Sequence, residues 1–216
     1  MKAITIPPSA PHRLIVEGVD DKWSVINLLA QHGCDWQLPS PGLPYIDDAG
    51  GANPALTSLP TSIKTYSRVG IVLDADLGAP SRWADVQRSI SAVGLSLPAR
   101  PPAGGLVMPW NGSRRFGVWL MPDNRRVGKL EDFLGELVPP EDPCWDHARD
   151  SALAAQGLGA PFAAKDSAKA RIHTWLAWRE RPGMPFGQAL TARVLAPDGP
   201  RAMAFVNWFK RLFLEA

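Results

Sequence analysis

A short apolar run that stops on acid occurs three times in this chain. Each is followed by residues at helical spacing, and this alternation limits the possible folds more than any other feature. "RLIVEG" (13–18) ends on Glu17, "VGIVLDAD" (69–76) on Asp74 and Asp76, and "FGVWLMP" (116–122) runs into Asp123. Short runs of this kind suit strands covered on both faces. After the first, Trp23, Ile26, Leu29 and Ala30 recur at helical spacing and Gly33 suits a C-cap. "PSRWADVQRSISAVG" (80–94) and "GKLEDFLGELV" (128–138) read as further helices, and "LVM" (106–108) as a weaker strand. An irregular loop is expected over 38–54, and a short helix broken at Pro60 over 55–67. Alternation of strand and helix predicts an α/β fold with a largely parallel sheet flanked by helices. "PPEDP" (139–143) marks a boundary, beyond which 144–156, 165–181 and 201–213 read as helices. The expected organisation is an α/β domain over 1–140 and a C-terminal helical extension over 141–216, packed on the same core.

Composition excludes several classes. No window approaches the ~20 consecutive apolar residues of a membrane span. The N-terminus lacks a signal-peptide pattern. Cys34 and Cys144 are too few for a disulfide framework and too far apart for a metal knuckle. A reduced, cytoplasmic setting is the expectation. The formal net charge of +2 is unevenly spread: residues 161–216 hold nine Lys and Arg against four Asp and Glu. Such an excess could meet phosphate or simply face water. Most of the nine tryptophans should fill the core, with base stacking open to one or two.

The acids matter most. Ligands of open α/β sheets sit beyond the C-terminal ends of the strands. Three strands ending in acid would line one edge with Glu17, Asp21, Asp74, Asp76 and Asp123, with Glu131 entering from the next helix. Clustered carboxylates repel one another unless protonated or sharing a cation. An oxygen-only cluster suits Mg²⁺ or Mn²⁺, and no HxxxH or CxxC favours zinc. Asp20, Asp21, Glu131 and Asp132 could instead be helix caps or first-turn acids. Glu17 ends a buried strand and lacks that explanation. Strand alternation would put Asp74 and Asp76 on one face. Lys165 and Lys169 project beside Ile172 and Leu176, where an amine could reach phosphate or snorkel into water.

"LIVEGVDDKWSVINLL" followed by "VGIVLDAD" resembles the two signature elements of Toprim domains, which are Rossmann-like: a strand ending in Glu-Gly, then one ending in Asp-x-Asp. "EGVDD" and "GKLEDFL" are most similar to the Toprim domains of OLD-family nucleases, and "GVWLMPDN" to small uncharacterised bacterial Toprim-like proteins. The resemblance implies metal binding by Glu17, Asp21, Asp74, Asp76 and Glu131. Asp123 is included through its strand-end position. Catalysis would fall to Glu17 as acid or base and to a later lysine, Lys169 or Lys165. It further implies Mg²⁺- or Mn²⁺-dependent phosphodiester chemistry on DNA or RNA, with an oligomer possible. No Walker A sequence occurs here, so an ATPase partner would be a separate chain. The alternative is an inactive Toprim-like module that binds nucleotide, nucleic acid or a partner. "DADLG" is also similar to the Asp-x-Asp signature of HAD-type phosphatases, but Gly78 stands where that family has Thr or Val.

Overall fold

The computed structural model describes residues 6–37 and 42–215. Five strands form one sheet: β1 His12–Val16, β2 Tyr45–Asp48, β3 Arg68–Asp74, β4 Leu106–Trp110 and β5 Arg114–Met121. Their order is β2-β1-β3-β5-β4, parallel except where β4 pairs antiparallel with β5. Helices α1 (Val19–Ala30), α2 (Ala52–Thr65), α3 (Ala79–Ile90) and α4 (Leu130–Gly135) accompany the strands. After them come α5 (Pro143–Gly157), α6 (Ser167–Ala177), α7 (Phe186–Thr191) and α8 (Pro200–Phe213).

The unbroken apolar runs are explained by covered faces. Leu14, Val16, Val72, Trp119 and Met121 point into one core, shared with α1 and with α4 through α8. The alternate residues Ile15, Val69, Ile71, Leu73, Phe116, Val118 and Leu120 point into another, shared with α2 and α3. Period-2 geometry thus divides each run between two cores. Trp83, Trp119, Trp175 and Trp208 are fully buried, and both cysteines are free. Among the described residues no helix is long and apolar enough to cross a membrane.

Three expectations need correction. Tyr45–Asp48, placed in a loop, is edge strand β2; residues 38–41 of that stretch lie outside the described residues. Its acids disguised it, yet Asp47 pairs with Arg13 of β1 and Asp48 Oδ1 lies 2.7 Å from Lys22 Nζ of α1. Pro60 does not break α2. Its missing N–H frees the Leu56 carbonyl, and the Ser89 hydroxyl of α3 donates to that oxygen at 2.5 Å. Helix α6 stops at Ala177 instead of continuing to 181, and the Gly183 N–H donates to Leu176 O at 3.0 Å.

Helix α8 lies on the sheet because two glycines face it. Gly70 and Gly117 pair across β3 and β5. A Cβ on Gly117 would stand 2.6 Å from Leu212 Cδ2 and 3.0 Å from Leu106 O; one on Gly70 would meet Leu14 and Leu212 within 3 Å. The pair forms a notch for Leu212. Gly117→Ala should therefore cost about 1–3 kcal/mol, as overpacking does. Denaturant unfolding should show a lower midpoint with an unchanged slope; wild-type stability would mean that Leu212 yields freely.

Candidate functional site

From β1 the chain passes outward to β2, then returns to lay β3 on the other side of β1. The C-terminal ends of β1 and β3 therefore flank a topological switch point, where open α/β sheets form a crevice. A cavity of about 400 Å³ opens there, lined among others by Glu17, Asp21, Asp74, Glu131, Lys129 and Lys169.

Glu17 follows β1, and its Oε1 accepts the Asp74 N–H at 2.8 Å, joining the two strand ends. Asp21, at the third position of α1, accepts the Gly18 N–H on Oδ2 at 3.1 Å. It caps the helix with one oxygen, so the capping and ligand readings coexist. Asp74 Oδ1 accepts the Leu130 N–H at 2.9 Å, tying α4 to β3. In all three, the second oxygen receives no hydrogen bond from another described residue. Glu131 is nearly buried, and its Oε1 lies 3.4 Å from Lys169 Nζ, which also approaches Asp20 at 3.9 Å.

Burial, and then the neighbouring carboxylates, push Asp21 and Asp74 toward neutrality. Asp21 is raised to about 7 by burial and then by the charges of Glu17 and Glu131, against the Gly18 amide. Asp74 is raised to about 8 by burial and by Asp21, Glu17 and Glu131. Glu17 is raised chiefly by burial, opposed by the Asp74 amide and Arg82. Four carboxylates from three chain segments thus share one cavity.

Asp76 does not line the cavity, although Lys129, which it approaches, does. Strand alternation does not reach it, because β3 ends at Asp74 and Asp76 has φ +49°. It exchanges backbone hydrogen bonds with Gly128 at 3.0 and 3.3 Å. Its carboxylate pairs with Arg82 and lies 3.5 Å from Lys129 Nζ.

Asp123 is the residue the structure sets apart. Its Oδ1 accepts the Arg125 and Arg126 N–H groups at 3.0 and 2.9 Å, and Oδ2 takes Arg126 Nε at 2.7 Å and Arg201 at 3.3 Å. Burial would raise its pKa, but the Arg126 and Arg125 contacts outweigh it and hold Asp123 below the ordinary value. With both oxygens committed and no part in the cavity lining, it serves as a turn and ion-pair anchor.

Sequence reasoning overlooked Lys129, Asp166 and Arg82. Lys129 bridges Asp76 and, at 3.9 Å, Asp166. Burial works against its charge, but Asp76, Asp74 and Asp166 prevail and its pKa is raised. Arg82 Nε donates to Asp74 O at 2.8 Å. Lys129 stood inside "GKLEDFL", where attention went to the acids. Lys165 and Lys169 both line the cavity.

The donor set fits a hard divalent cation: oxygens only, with mutual repulsion that a cation would relieve. Among the described residues no three His, Cys, Asp or Glu side chains converge into a direct ligand cluster. Mg²⁺ ordinarily keeps several waters and needs only one or two direct carboxylates.

A family model of proteins of unknown function, DUF3226, matches residues 11–214. The chain belongs to the DUF3226 family. This DUF3226 member is also similar to the C-terminal region of the Burkholderia pseudomallei OLD protein, at 13% identity and a TM-score of 0.45, over 94% of this chain and 98% of that one. No curated protein matches it.

The raised acids make stability depend on pH. Asp21 and Asp74 have folded pKa values above the ordinary 3.8, so their contribution is complete below about 4 and is lost as pH rises through about 7 and 8. Without divalent ion the protein should melt higher at pH 5 than at pH 8. Asp74→Asn keeps an acceptor for Leu130 and removes the charge. At pH 8 it should raise the melting temperature by at least ~3 °C, the shift expected of about 1 kcal/mol at this length. A lower melting temperature would mean that the carboxylate is stabilising.

Proposed function

We propose that the cavity at the switch point binds Mg²⁺ or Mn²⁺ and carries out phosphodiester chemistry on nucleic acid. What supports this reading most is the meeting of Glu17, Asp21, Asp74 and Glu131 in one cavity, two of them pushed to about 7 and about 8. A structural cluster of caps and ion pairs would settle its charges with arginine or lysine, as Asp123 does. Glu17, Asp21 and Asp74 each keep one oxygen that receives no hydrogen bond from another described residue.

In this reading Glu17, Asp21 and Asp74 would hold the cation directly or through water, with Glu131 beside them in the lining and Asp76 outside it, paired with Arg82 and Lys129. A bound cation would supply charge stabilisation at the phosphate and a lowered pKa for bound water. Glu17, its pKa raised by burial, would take the proton of the attacking water as that oxygen bonds to phosphorus and the P–O bond to the departing nucleotide breaks, the leaving oxygen taking a proton from solvent. Lys169 and Lys129, both in the lining, would meet the phosphate oxygens and stabilise the charge that develops on them. Arg82 holds the Asp74 carbonyl and the Asp76 carboxylate in place.

The test is cleavage of single- and double-stranded DNA and RNA with Mg²⁺ or Mn²⁺. Glu17→Ala and Asp74→Ala should each lower the rate by at least ~100-fold, and Lys169→Met by ~10–1,000-fold with metal binding retained. Cleavage that persists in both acid variants would refute the reading. Nucleic-acid binding without cleavage in the wild type would assign the chain the inactive, binding role.

A further inference from the structure

A second cavity of about 390 Å³ opens beside the acidic one, and Glu131 and Ala168 form a wall common to both. Its chemistry is different. The apolar lining comes from Trp145, Phe162 and Leu153, and the guanidinium groups of Arg149 and Arg171 stand among them. Val127, at its edge, is 60% exposed and Leu153 is 56% exposed, so both leave apolar surface uncovered.

The arginines are fixed in place. Arg171 lies over the Trp145 ring at 3.7 Å from the centroid. It donates to Trp145 O and to Asp146 Oδ1, both at 3.0 Å, and Arg149 reaches the same Asp146 oxygen at 3.1 Å. Trp145 in turn sits edge-on to Trp175 at 6.0 Å and so close to Gly135 that a Cβ there would come within 2.9 Å of its ring. A preformed planar cation on an indole, in a cavity that also holds exposed apolar surface, is a stacking platform.

Charge decides what would stack there. Arg126, Arg149 and Arg171 are balanced in the lining by Glu131, Asp132 and Glu136, and Asp146 already holds two of the three arginines. A lone phosphate would find no uncompensated charge. A neutral planar ring with a polar edge fits better. Ser167 Oγ gives its proton to Ala164 O at 2.7 Å and keeps lone pairs for an amino group.

We propose that this second cavity receives a nucleobase of the strand whose phosphate lies in the acidic cavity, so that the substrate is single-stranded or presents an extruded base. The inference rests on the nucleic-acid reading of the acidic cavity but not on its chemistry. The shared Glu131 wall places base and phosphate sites side by side, and the size suits a small planar ligand.

The probe is a single-stranded DNA oligonucleotide with 2-aminopurine at its centre, titrated with and without Mg²⁺. Its fluorescence should change on binding, and a duplex of equal length should bind at least ~10-fold more weakly, given what one stacked base contributes. Arg171→Ala and Leu153→Asp should each weaken binding by ~10-fold. Leu153 is exposed, so its variant should fold even if Arg171→Ala does not. Unchanged affinity in Leu153→Asp, or equal binding of duplex and single strand, would overturn the proposal. Probe binding without cleavage would count only against the catalytic reading; cleavage with no effect of Leu153→Asp would count only against this one.

Discussion

Everything at the strand ends depends on backbone amides that hold like charges together. The Asp74 N–H holds Glu17, the Leu130 N–H holds Asp74, and the Gly18 N–H holds Asp21. Each bond holds one carboxylate oxygen and leaves the other without a hydrogen bond from another described residue. Amides carry no net charge, so they position the acids without neutralising them. A lysine or arginine in the same role would have cancelled the field that draws a cation. Lys129 and Lys169 stand at the rim instead, where phosphate oxygens would arrive.

The sheet makes this arrangement possible. Glu17 and Asp74 meet only because β1 and β3 are adjacent and parallel although helix α1, strand β2 and helix α2 lie between them in sequence. The glycine notch that seats Leu212 of α8 lies on β3 and its other neighbour, β5. Helix α6 brings Lys169 over the cavity, so the chain beyond 140 contributes both to the larger core and to the candidate site.

Much of this could be read from the residues. Unbroken apolar runs implied a sheet covered on both faces, and their acidic ends implied a shared edge. What failed was whatever depends on partners distant in sequence. Tyr45–Asp48 did not look like a strand because Arg13 and Lys22, which offset its acids, lie more than 20 residues away. Pro60 looked like a helix breaker because Ser89, which rescues the freed Leu56 carbonyl, belongs to another helix. Asp123 occupied the right strand end, but "DNRR" folds two amides and a guanidinium onto it. That turn was visible as a sequence, whereas its consequence for the carboxylate was not. Lys129 was missed because a lysine before a helix gives no sign of the cavity it will face.

Binding of a divalent cation by these acids is the central claim, and calorimetric titration of Mg²⁺ or Mn²⁺ at pH 7 tests it most directly. The measurement is made in two buffers of different ionisation enthalpy. Asp21 and Asp74 are pushed to about 7 and about 8, so at this pH they retain protons that a cation must displace. The account predicts binding whose heat differs between the buffers because protons are released, and a smaller release in Asp74→Asn, where Asp21 alone of the two remains. No binding, or binding whose heat is the same in both buffers, would contradict it.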